Sequence, residues 1–72
     1  MKFELLGHFA GLVTYGCKEG KRQWVISKDK TGVCQASFKK SGTAPTEWLG
    51  TDYPNYEAAL AACEQHRKKR LQ

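Results

Sequence analysis

No stretch of this chain runs far enough without a polar residue to span a bilayer, which takes about 18 apolar residues in succession. The N-terminal MKFELLGHFAGLV is broken by Glu4 and His8, where a secretory leader keeps an uninterrupted apolar core. We therefore read the protein as soluble and cytoplasmic, with no membrane partner. Cysteine is scarce and unpaired. Cys17, Cys34 and Cys63 lie far apart with no C-x-x-C among them, which excludes both a secreted disulfide framework and a zinc ribbon. Histidine is limited to His8 and His66, Ser27, Ser37 and Ser41 lack an elbow-like glycine setting, and no glycine-rich run resembles a phosphate cradle. No catalytic constellation results, and we expect no enzyme, no cofactor and no small-molecule substrate. Cys63 and His66 share a helical face and form the one pair worth weighing as metal ligands, with Cys17, Cys34 and His8 as completing donors. The commoner fate of a free cysteine is a small buried hydrophobe, so no metal is expected.

What the chain does contain is enough to fold. It has 72 residues, 40% hydrophobic and 11% aromatic, too rich in Trp, Tyr and Phe for a disordered tail. With no linker or repeat to divide it, residues 1–72 form one small basic domain, too short for a large enzyme cleft. Acidic residues are the minority charge: twelve Lys and Arg against seven Asp and Glu leave a net +5. That excess favours a polyanionic or acidic partner.

The clearest periodicity begins at Asn55. Ala58, Ala59, Ala62, Cys63 and His66 fall on one helical face and Glu57, Glu64 and Lys68 on the other. Pro54 or Asn55 opens this helix, and Glu57 near its start with Arg67, Lys68, Lys69 and Arg70 near its end match the helix dipole. Its inner face is mostly alanine and cysteine, so bulky core residues must come from a sheet. Arg22 to Lys28 and Val33 to Lys39 read as strands joined by a turn at Asp29-Lys30-Thr31-Gly32. Thr46 to Thr51 reads as a further strand after the breaker run Ser41-Gly42-Thr43-Ala44-Pro45. Alternation turns Trp24, Ile26, Cys34, Ala36, Phe38 and Leu49 toward the helix, and Gln35, Ser37, Lys39 and Trp48 away from it. The first twenty residues fit neither period cleanly, and one additional strand is expected there. The fold class is therefore α+β: an antiparallel three- or four-stranded sheet packed against one C-terminal helix.

The order hairpin, third strand ending Trp48-Leu49-Gly50-Thr51, then a helix carrying Glu57-Ala58-Ala59-Leu60-Ala61 resembles a known pattern over residues 22–66. It is similar to the three-stranded-sheet plus helix DNA-binding domain of plant ethylene-response factors and, more loosely, to the arm-binding domain of phage-type integrases. The resemblance implies a sheet that meets DNA and a helix that braces it. It implies further that Trp48, Gln35, Ser37 and Lys39 lie on the DNA side, and that Leu49 and Ala58 tie sheet to helix. This chain departs from those families in its arginines, having only Lys21 and Arg22 at the first strand and Gln35 and Ser37 on the second.

Two functions follow as expectations. The first is a small non-enzymatic regulator of transcription or nucleic-acid processing that binds nucleic acid, DNA before RNA, through a basic sheet face. Its binding residues are Lys21, Arg22, Gln35, Ser37, Lys39, Lys40, Trp48, Arg67, Lys68, Lys69 and Arg70. The second is a phage-type inhibitor that binds an acidic surface of a nucleic-acid enzyme such as host RNA polymerase, with Trp48 as anchor. A double-stranded-RNA-binding fold fits less well, because lysines should then crowd the start of the last helix.

Overall fold

The computed structural model describes residues 1–71, with the side chains of residues 9, 70 and 71 outside that description. Five strands and one helix follow in order: β1 (Glu4–Phe9), β2 (Leu12–Glu19), β3 (Arg22–Lys28), β4 (Cys34–Lys39), β5 (Glu47–Tyr53) and α1 (Tyr56–Leu71). The strands form a single antiparallel meander, β1-β2-β3-β4-β5, and α1 lies across β3, β4 and β5. The α+β class and the C-terminal helix stand as expected, but the sheet has five strands, not three or four.

The extra strand comes from the N-terminal segment, which is a hairpin and not one strand. Its turn is Ala10-Gly11, closed by the Phe9–Leu12 pair, and both turn residues have positive φ, 51° and 82°. That is the backbone of a two-residue hairpin turn whose twist matches the flanking strands. An alanine in the left-handed region is uncommon, so the turn carries little sequence signal. The next turn, Gly20-Lys21, is easier to read, since only Gly20 needs positive φ (64°). Between β3 and β4, Asp29 organises the loop. Its carboxylate accepts the Thr31 hydroxyl at 2.6 Å and the N–H groups of Thr31 and Val33 at 2.9 and 3.1 Å. Those bonds, the Thr31 hydroxyl foremost, hold the Asp29 carboxyl below its ordinary pKa.

The core forms where the sheet's inner face meets the helix. Trp24, Ile26, Cys34, Ala36 and Phe38 from the central strands meet Ala59 and Cys63 of α1, and all are buried. Leu49, Tyr53, Tyr56 and Leu60 pack around them. Small residues on the helix let its axis come close, and the sheet supplies the volume. Asn55 caps the helix, its side-chain oxygen accepting the Ala58 N–H at 2.8 Å. The indole N–H of buried Trp24 donates to His66 Nδ1 at 3.1 Å, which satisfies the one polar atom the tryptophan carries inward.

Pairing shifts on both sides of Ala36 give β5 its irregular edge, so that Ala36 faces Gly50 while Ser37 faces Trp48. Gly50 is required by close approach: a Cβ there would sit 2.6 Å from the Tyr53 ring. Gly50→Ala should therefore lower stability by about 1–3 kcal/mol through overpacking, read as a drop in the urea midpoint with an unchanged slope.

Candidate functional site

The sheet has two faces and the helix covers part of one. On the uncovered face, the strand register aligns Gly16, Val25, Ser37 and Trp48 in one row from β2 to β5. Leu6 of β1 closes the row at the other edge, its side chain lying over Gly16 where a Cβ would stand only 2.7 Å away. Trp48 and Leu6 are 62% and 55% exposed, so each edge of the row ends in an apolar side chain open to solvent. Between them are only short side chains.

A second row lies one step toward the end of the sheet where β2 turns into β3. Lys18 faces Gln23 and Gln23 faces Lys39. Gln23 joins two surface grooves. One, of about 380 Å³, is lined by Lys2, Glu4, Leu6, Gly16 and Lys18. The other, of about 170 Å³, is lined by Val25, Ser37, Lys39 and Thr46. Together they make a channel across the strands with an ammonium group at either side. Gln35, Ser37, Lys39 and Trp48 thus share one face, as alternation predicts. Gln23 and Lys18 join them by register, and Gly16 and Leu6 are the partners that sequence reasoning passed over. Lys18 could have been assigned from the alternation of Tyr15 and Cys17 on the opposite face, had the second N-terminal strand been recognised.

The remaining candidate residues sort by position. Arg22 turns to the helix side of the sheet, its guanidinium 5.8 Å from the centre of the Trp24 ring. Arg67 points back to the sheet and donates from Nε to Glu19 at 2.7 Å. It is therefore a clamp between helix and sheet before it is a free cation. Lys40, Lys68 and Lys69 are exposed, Lys21 occupies its two-residue turn, and the side chain of Arg70 lies outside the described residues. Those that are described all stand at one end of the molecule. Antiparallel pairing brings together the β2–β3 turn, the close of β4 and the start of β5, and the Arg67–Glu19 bond brings the helix C-terminus to the same place. Lys2 and Lys18 join them through the β1–β2 pairing. Among the described residues only Lys28 and Lys30, of the lysines and arginines, lie at the other end, beside Asp29. The modest net charge is thus concentrated toward one end of the strands.

On the helix side, β1 and β2 project beyond α1. The projection leaves a hollow of about 370 Å³ lined by Phe3, Leu5, Tyr15, Lys28 and Tyr56. Its walls are aromatic and aliphatic, with a single ammonium and no acid to place opposite it.

Cys63 and His66 do share a face of α1, but His66 Nδ1 is occupied by the Trp24 indole. Among the described residues no group of three His, Cys, Asp or Glu could hold a metal. All three cysteines are buried. Burial pushes the Cys63 thiol up to about 12 and raises that of Cys34, which opposes the thiolate that nucleophilic or metal chemistry would need. Among the described residues no helix is long and apolar enough to cross a membrane. No family model, curated protein or solved structure matches the chain.

The Cys63 shift carries a pH dependence of stability. The unfolded thiol ionises near about pH 8.5 and the folded one near 12. Above about pH 8.5 the unfolded chain therefore binds fewer protons than the folded one, and stability falls as pH rises. The urea midpoint should hold below about pH 8.5 and fall progressively from there toward about pH 12, and fall less in Cys63→Ala. Iodoacetamide should label Cys63 only when denaturant is added.

Proposed function

We propose that this protein is a non-enzymatic nucleic-acid-binding regulator that acts by occupancy, meeting its target with the uncovered sheet face and steering it with the basic end. The observation that carries the reading is that two neighbouring rows, Ser37 with Trp48 and Lys18 with Gln23 and Lys39, stand on one face. It supplies an aromatic platform, hydrogen-bonding side chains and cations without a covering layer. Lys21, Lys40, Lys68 and Lys69 supply the sequence-independent attraction to phosphate, which lengthens encounter and sets salt dependence. Gln35 and Ser37 can donate to or accept from a base or sugar. DNA is the first target class, with transcription or nucleic-acid processing as the setting that a small occluding domain suits.

A protein partner is the second reading, favoured by one observation. Leu6 and Trp48 leave apolar surface exposed at both edges of the same face, and exposed aromatic anchors in a basic surround also suit an acidic enzyme surface such as that of RNA polymerase. The two readings separate by titration of salt. Contact with four or five phosphates predicts a log-log slope of roughly −4 on duplex DNA. Lys39→Ala and Lys18→Ala should each reduce the slope by about 1. Absence of binding to any nucleic acid at about 50 mM salt, together with nuclease-resistant capture of a polymerase subunit, would overturn the first reading in favour of the second.

A further inference from the structure

The uncovered face is shaped for one form of nucleic acid. Its apolar row crosses five strands, and at about 4.8 Å per strand it extends over about 19 Å. The major groove of B-DNA is about 12 Å wide and admits a helix or a two-stranded ribbon. A five-stranded face cannot lie flat in such a groove. The residues at its centre, Gly16, Val25 and Ser37, are also too short to reach base edges at a groove floor. A rigid duplex laid on this surface would touch the rim alone.

An unpaired strand has neither restriction. Its bases splay, lie flat on short side chains and stack on aromatic rings, while the backbone follows a line of cations. Here the short side chains fill the centre, Trp48 stands at one edge, and the channel through Gln23 carries Lys18 and Lys39 along its length. Polyanionic charge on the ligand complements those lysines, and the neutral floor between them suits a base better than a phosphate.

We propose that the ligand class of this face is single-stranded nucleic acid running across the strands, with one base stacked on the Trp48 indole and the backbone held by Lys18 and Lys39. The proposal rests on the nucleic-acid reading above and narrows it. Glu4 also lines the Lys18 side of the channel, so its carboxylate opposes the passing phosphates and sets a ceiling on affinity.

The test is fluorescence anisotropy with labelled oligo(dT) and oligo(U) of about 12 nucleotides, within the roughly 4–16 spanned by comparable single-strand sites. A duplex of the same length serves as competitor. The expected result is at least a tenfold preference for a single strand over the duplex at equal salt. Trp48→Ala should weaken single-strand binding by about 5- to 150-fold while leaving the far-ultraviolet spectrum and urea midpoint unchanged. Trp48→Phe should recover most of the loss, and Glu4→Gln should tighten binding. Duplex binding equal to or tighter than single-strand binding, or indifference of single-strand affinity to Trp48→Ala, overturns the single-strand assignment and leaves the broader reading standing. No binding to either form overturns both.

Discussion

The packing of Trp24 against the helix is the contact on which the rest of the architecture depends. Its indole is fully buried, tilts against Phe38 with ring centres 5.0 Å apart, and donates its N–H to His66. His66 in turn lies 4.5 Å from the Phe38 ring centre. Arg22 lies over the same indole near the basic end, and Arg67 locks α1 to Glu19 beside it. Because a buried indole must both fill volume and place its donor, it fixes the helix in rotation as well as in position. With α1 held over β3, β4 and β5, the opposite face of the sheet is left without a second layer. The exposed row is a consequence of which side the tryptophan faces.

The meander topology then decides where charge accumulates. In an antiparallel sheet with tight turns, alternate connections stand at the same end. Residues around Lys21 and Lys39 therefore become neighbours although distant in sequence, and the returning helix delivers its C-terminal cations to that end. Its dipole, negative at the C-terminus, favours their presence there. The acidic Glu57 sits at the opposite pole with Asp29 and Asp52 not far along the sheet. A chain of modest net charge thus acquires an end-to-end polarity greater than its composition implies.

Much of this architecture was legible in the sequence. The β3–β4 ladder that carries Trp24, Ile26, Cys34, Ala36 and Phe38 runs without a register shift, and all five are buried. Trp48 shares the parity of the outward set and is exposed. The helix is marked by its Asn55 cap and by the Ala58, Ala59, Ala62 and Cys63 spacing. The N-terminal segment was not resolved because its signals conflict. The pairing slips between Leu5 and Gly7, so Leu6 is an extra residue without a partner on β2, and both leucines are exposed. A bulge of this kind removes the simple alternation on which a strand is recognised. The Ala10-Gly11 turn gave no help, since alanine rarely takes its backbone conformation. What the sequence could not convey was register across strands, which alone brings Lys18, Gln23 and Lys39 into a line and decides that Arg22 belongs to the other side.

Met1 and Phe3 pack against the core and the Met1 amino group lies 3.7 Å from Glu64 of α1, but beyond them the first strand is held by one ladder only, to β2, while every other strand is either central or braced by α1. A strand fastened along a single seam is the first to peel in native-state fluctuations, and here its Leu6 forms one wall of the channel over Gly16. Amide exchange and access to the channel are consequently coupled: whatever occupies the channel across that seam must slow the unzipping of β1, and whatever loosens β1 must widen the channel.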